Sequence, residues 1–168
     1  MKVLFLSLFA GLALGGCDGG DSQLVGGDGN FDTLTLSSSG GMPGPRREGD
    51  ECDSMYPNLR TVTSSPATIA WDLCAWPTAN VQHMAVAQGS RALTSAELAT
   101  VKDALLQVHV GKSGLCGADK AVVTLDIQAH GGVGHYVDDF YGCQPAPAGR
   151  TFVTGIDWLE SAVGKLVQ

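Results

Sequence analysis

The C-terminal half of the sequence contains four side chains that could bind a metal ion or move a proton: His130, His135, Asp138 and Asp139. Two imidazoles and a carboxylate can hold zinc or copper. On a β-strand, His135 and Asp139 would share one face, whereas Asp138 would point to the other. Because the spacing fixes no third ligand, it favours ordinary surface histidines near a turn. His130, His135 and Asp139 are the candidates for a metal site, but we assign no metal or other cofactor.

Other catalytic motifs are missing from the sequence. The stretch GKSG, residues 111–114, resembles the end of a phosphate-binding loop, but the first glycine of that loop would stand where the chain has Leu106. No Gly-x-Ser-x-Gly motif for a nucleophilic serine occurs. The adjacent carboxylates at 138 and 139 would face opposite sides of a strand. We therefore expect no nucleotide binding and no enzymatic activity.

The five cysteines divide into one near the N-terminus, Cys17, and four later ones. An even number of cysteines in an exported domain favours disulfide bonds. The four later cysteines allow three pairings. We prefer Cys116–Cys143, which joins the ends of one hairpin, together with Cys52–Cys74, which pins the start of the domain to a strand.

Two helices with apolar stripes are predicted. Thr94 and Glu97 form a capping-box sequence after Leu93, and Gly111 supplies the end of this first helix. The second helix occupies the end of the chain, with Thr154 as its N-cap. The buried stripes are Leu98, Val101, Leu105 and Val108 in the first helix, and Ile156, Leu159, Val163 and Leu166 in the second.

Alternation of apolar and polar residues predicts the strands. Residues 120–130 form a strand, 131–134 a turn and 135–143 the antiparallel return strand, while 67–76 and 84–93 form two further strands. The order of these elements predicts an α+β fold. We expect an antiparallel sheet of about four strands with two helices on one face and two disulfides.

The N-terminus, MKVLFLSLFAGLALGG at residues 1–16, has the pattern of a secretory signal peptide. Its apolar run is shorter than the roughly 20 residues of a membrane-spanning helix. Residues 14–17, Leu-Gly-Gly-Cys, resemble the lipobox of bacterial lipoproteins. That resemblance implies cleavage before Cys17 and a diacylglycerol on its thiol, with acyl chains such as palmitate. The domain would then lie outside the cytoplasm, anchored to a membrane of the bacterial cell envelope.

Glycine, serine and aspartate dominate residues 17–51, which predicts a flexible acidic tether after the lipidated cysteine. Within it, the FDTLTL segment at 31–36 alternates like a strand. It is either a short edge strand docked on the domain or a segment without regular structure. Residues 52–168 would then form one disulfide-bonded globular domain. The formal net charge of −7 argues against nucleic acid as a partner.

The stretch LCGADKAVVTLDIQAHGGVGHYVDDFYGC, residues 115–143, is similar in plan to the last disulfide hairpin of the Streptomyces subtilisin-inhibitor family. The resemblance implies a hairpin closed by its two cysteines and raises protease inhibition as a function. The inhibitory loop of that family would fall on Gly117, Ala118 and Asp119, which offer no side chain suited to a protease specificity pocket.

Aromatic residues give the one positive indication of function. Strand alternation leaves some of them facing outward, and exposed aromatics are enriched at protein interfaces. The candidate binding surface comprises Trp76, Tyr136, Phe140 and Tyr141. We therefore expect a membrane-anchored lipoprotein that binds another envelope protein. The alternatives are a secreted-type protease inhibitor and a small enzyme or metal-binding lipoprotein.

Overall fold

The computed structural model describes residues 23–40, 46–76, 83–113, 120–140 and 144–167. Within them, eight strands form one sheet in the order β4-β3-β2-β1-β6-β7-β8-β5. The strands are β1 Thr33–Gly40, β2 Asn58–Ser64, β3 Ala67–Ala75, β4 Ala85–Ala92, β5 His109–Val110, β6 Ala121–Ala129, β7 Gly132–Asp138 and β8 Thr151–Thr154. The helices are α1 Ser95–Leu105 and α2 Ile156–Gly164, and a 3-10 turn, Lys165–Val167, follows α2.

Strand β1 lies in the interior of the sheet, where it pairs antiparallel with both β2 and β6. Its alternating sequence TLTL directs Leu34 and Leu36 into the core, where both are fully buried. Leu34 lies opposite Val62 of β2 and Ile127 of β6, which are also buried. These cross-strand contacts make β1 the strand that joins the two halves of the sheet.

The residues before β1 also belong to the fold. Leu24 and Phe31 are buried, and the Val25 N–H donates a hydrogen bond of 2.8 Å to the hydroxyl of Tyr136. The prediction of a flexible tether over residues 17–51 is therefore wrong for residues 23–40, and the domain begins well before Cys52. The FDTLTL segment forms an interior strand and not an edge strand.

The predicted fold class is wrong in the number and direction of the strands. The sheet has eight strands where about four were expected, and it is mixed, because β8 runs parallel to β7. The strands missed by the prediction are either short, like β5, or mostly polar, like β2, whose sequence NLRTVTS buries only Val62. Alternation of apolar and polar residues does not detect such strands.

The described residues hold one disulfide, Cys52–Cys74, where the prediction had two. This bond joins the segment before β2 to β3, so that the preferred Cys52–Cys74 pairing is confirmed. Cys116 and Cys143 lie outside the described residues, as does the loop at 117–119.

The hairpin of β6 and β7 is confirmed, with a tighter turn than predicted. Ala129 pairs with Gly132, which leaves His130 and Gly131 as a two-residue turn. Both have positive φ angles, 51° and 75°, as a type I′ turn requires. Glycine adopts this conformation without a steric cost, whereas histidine does so less readily.

Both predicted helices are present and pack on one common core, but α1 ends at Leu105 and does not continue to Gly111, because residues 109–110 form β5. In α1 the Thr94 side chain accepts a hydrogen bond from the Glu97 N–H and the Glu97 carboxylate accepts one from the Thr94 N–H, which confirms the capping box. The N-cap of α2 is Gly155 and not Thr154. Gly155 has a φ of 78°, and a Cβ there would lie 2.2 Å from the carbonyl oxygen of Gln107. Glycine is therefore required where the start of α2 meets the end of α1.

The helices cover one face of the sheet, and the other face is polar. Residues Leu34, Val62, Ile69 and Leu125 line the covered face. The alternate residues of the same strands face the other way, as strand geometry demands. They include Thr33, Thr35, Thr61, Thr63, Thr68, Thr124, Asp126, Gln128 and His135.

Candidate functional site

A groove of about 500 Å³ runs along the outer side of the two helices. It is lined by Ala96, Glu97, Thr100, Asp103, Ala104, Gln107, Trp158, Ser161, Ala162, Lys165 and Leu166. The start of α1 lies beside the end of α2, because Arg91 just before α1 donates hydrogen bonds to the carbonyl of Leu166. The two helices are thus antiparallel neighbours, and the groove follows the line between them.

Several of the residues that line the groove have short side chains, which helps to keep it open. The large apolar residues of each helix, such as Leu105 and Leu159, are fully buried on the opposite side, against the sheet. Positions Ala96, Ala104 and Ala162 on the groove side carry only methyl groups. Short side chains let the backbones approach without filling the space between them, so a concave and mainly apolar surface remains.

Trp158 stands at this groove with 71% of its surface exposed. It lies next to the buried Leu159 on α2, off the stripe that faces the core. Large exposed aromatics beside a concave apolar surface are typical of binding sites. The predicted binding surface does not include Trp158, although a tryptophan on the polar side of an amphipathic helix is a visible signal in the sequence.

Charges line both rims of the groove. On the α1 rim, Glu97 forms an ion pair of 2.7 Å with Arg91. Hydrogen bonds from Arg91 and from Thr94 lower the pKa of Glu97 to about 2, which keeps this carboxylate ionised. Asp103 of the same rim is exposed and joins no ion pair within the described part of the chain. Lys165 contributes a cation on the α2 side.

A second polar cluster lies on the open face of the sheet. The Asp126 carboxylate is 2.8 Å from Nδ1 of His135 and accepts hydrogen bonds of 3.0 and 3.3 Å from the guanidinium of Arg150. Arg150 also donates to the carbonyl of Tyr136. An Asp–His pair can serve as a general base, but in the described residues no hydroxyl or thiol forms a hydrogen bond with the His135 ring. The cluster therefore ties β6, β7 and the segment before β8 together.

The three metal candidates lie apart from one another. His130 contacts Asp28 at 3.2 Å, on the turn before β1. His135 pairs with Asp126, and Asp139 is buried and accepts a hydrogen bond from the Ser113 N–H. The described segments contain no group of three side chains that could hold a metal ion.

The predicted aromatic surface is only partly exposed. Trp76 is 46% exposed and lies 5.6 Å from the Arg47 guanidinium. Tyr136 is buried, because β7 directs its ring into the core and over Gly134, so its assignment to a binding surface is wrong. Phe140 is half-buried against the ammonium of Lys120. Tyr141, like the lipidation candidate Cys17, lies outside the described residues.

Comparison of the chain with protein-family models, with curated proteins and with solved structures finds no match. Of the helices that the structure describes, none has the length and apolar character needed to cross a membrane. The geometry of the domain and the N-terminal sequence are therefore the basis for a proposed function.

Proposed function

We propose that this chain is a bacterial lipoprotein, anchored to a cell-envelope membrane through Cys17, whose domain binds a segment of another envelope protein. The binding site is the groove between α1 and α2. The observation that carries this proposal is Trp158, 71% exposed beside an open apolar groove. Burying a tryptophan against a partner removes a large apolar area from water, which is why such residues dominate binding energies.

The lining of the groove indicates the chemistry of the partner. The methyl groups of Ala96, Ala104 and Ala162 form an apolar surface that accepts a bulky aliphatic or aromatic side chain. The exposed Asp103 carboxylate on the α1 rim favours a cation beside it, and the net charge of −7 attracts basic partners at long range. The partner segment therefore combines a bulky apolar side chain with a nearby lysine or arginine.

Site-specific photo-crosslinking in the native membrane tests this proposal. A photoreactive amino acid replaces Ala162 in the full chain, and mass spectrometry identifies the crosslinked peptide of the partner. We expect one partner peptide with a bulky apolar residue and a lysine or arginine. Trp158→Ala should lower the crosslinking yield about 30-fold, as expected for the loss of roughly 2 kcal/mol at a hot spot.

The matched control is Trp76→Ala, which removes a different exposed tryptophan and should leave the yield unchanged. Because Trp158 is largely exposed, its replacement should change the free energy of unfolding by less than about 0.5 kcal/mol. A yield that falls equally for both variants would contradict the groove as the binding site. Crosslinking only to lipid, or to peptides without a cation, would contradict the proposed partner chemistry.

A further inference from the structure

The linker between Cys17 and the domain is much shorter than the predicted tether of residues 17–51. From Leu24 onward the chain packs on the fold: Leu24 is buried, and the Asp32 N–H donates to the Gln128 carbonyl at 2.7 Å. Only residues 18–22 separate Cys17 from Gln23, which directly precedes this packed segment. Covalent geometry limits the distance from Cys17 to Gln23 to about 20 Å, and a random coil of this length averages roughly 13 Å.

Gln23 lies at one end of the sheet, which we name the proximal end. It lines a cleft with His130 of the β6–β7 turn, and another with Leu106 and His109 after α1. The proximal end therefore comprises the Gln23–Asn30 segment, this turn and the end of α1. It exposes two large apolar side chains, since Leu106 is 42% and Val133 59% exposed.

The opposite, distal end carries Trp76 and Met55, because Met55 follows Ser54, whose carbonyl accepts a hydrogen bond from the Gly40 N–H at the end of β1. Thr68, near the start of β3, also lies at the proximal end, because the strand register aligns it with Gln128, which is close to the β6–β7 turn. Trp76 follows the last residue of β3. Trp76 lies eight residue steps along the chain from Thr68, so the two ends are roughly 26 Å apart.

We infer that the domain rests at the bilayer surface with its proximal end against the lipid headgroups. This inference depends on the proposed lipidation of Cys17. A lipidated Cys17 lies at the membrane, and the linker of about 20 Å is shorter than the roughly 26 Å between the two ends, so the distal end cannot contact the membrane. The proximal end has charges of both signs, with Asp28 paired to His130 and Lys102 bound to Asn30. Its exposed apolar side chains can enter the membrane interface.

Photo-crosslinking to phospholipid tests the orientation in native membranes. A photoreactive amino acid is placed in the full chain at Leu106 or Val133 at the proximal end, and at Met55 or Trp76 at the distal end. All four positions are exposed. We expect phospholipid adducts at the two proximal positions and none above background at the two distal ones.

A matched variant lengthens the linker by 30 glycine and serine residues between Ser22 and Gln23. The local concentration of the domain at the surface should fall about tenfold, and the proximal adducts with it. If Cys17 is acylated but lipid adducts form equally at both ends, or do not respond to the insertion, the proposed orientation is wrong and the lipid anchor is retained. A non-acylated Cys17 in the intact mass would overturn the anchor and the orientation together.

Discussion

Truncation of Leu34 tests whether β1 is an integral part of the domain. Leu34 is completely buried between Val62 and Ile127 on the two flanking strands. Leu34→Ala removes its packing contacts and leaves a cavity that two hydrogen-bonded neighbours cannot close. The cost expected for such a site is about 3 kcal/mol of unfolding free energy.

Urea unfolding of the purified protein, followed by tryptophan fluorescence and circular dichroism, measures this cost. With a denaturant slope of about 2 kcal/mol per molar urea, the unfolding midpoint should fall by about 1.5 M. The matched control is Thr35→Ala, the next residue on the same strand, which points to the open face. Its hydroxyl lies 3.2 Å from that of Thr61, and its loss should cost under about 1 kcal/mol.

The comparison between these neighbouring positions makes the test specific. A flexible tether would respond equally weakly to both substitutions. An unchanged midpoint in Leu34→Ala would therefore refute the assignment of residues 33–40 to the core of the sheet.

Two further predictions concern the helices. Gly155→Ala should destabilise the fold by about 2 kcal/mol or more, because it combines left-handed backbone strain with a clash against the Gln107 carbonyl. The control is Gly164→Ala, whose added methyl group meets open space in α2 and should stabilise the fold by up to about 1 kcal/mol. Similar thermal unfolding temperatures for the two variants would contradict the packing at Gly155. Glu97 has a pKa of about 2 in the fold against 4.5 ordinarily, so its anion stabilises the fold above about pH 4.5 and that contribution is lost as the pH falls toward 2. Glu97→Gln should reduce the dependence of the unfolding free energy on pH between pH 5 and 2. A variant with the same pH dependence as the unsubstituted protein over this range would contradict the contact between Glu97 and Arg91.

Local signals in the sequence identify several elements of this fold. The capping box at Thr94 and Glu97 identifies the start of α1, since both hydrogen bonds form between residues three apart. The alternation in residues 120–130 identifies β6, and the stripe from Ile156 to Leu166 identifies α2. These elements bury one face or stripe, and a regular period records that burial.

The rest depends on contacts between residues distant in the sequence. Strand β1 follows a glycine- and aspartate-rich segment whose composition resembles a linker, and its burial comes from β2 and β6. Strand β8 has four residues and pairs in parallel with β7, which no local pattern records. The groove likewise forms only where α1 packs beside α2, so the sequence of α2 alone does not show that Trp158 lies at a concave surface.

The most direct test of this account is the intact mass of the protein extracted from its own membranes in mild detergent. The proposed anchor at Cys17 underlies the proposed location, the proposed envelope partner and the proposed orientation of the domain. We predict a chain that begins at Cys17 and carries the added mass of a diacylglycerol and further acyl chains. A chain that retains residues 1–16, or one with an unmodified Cys17, would contradict the account.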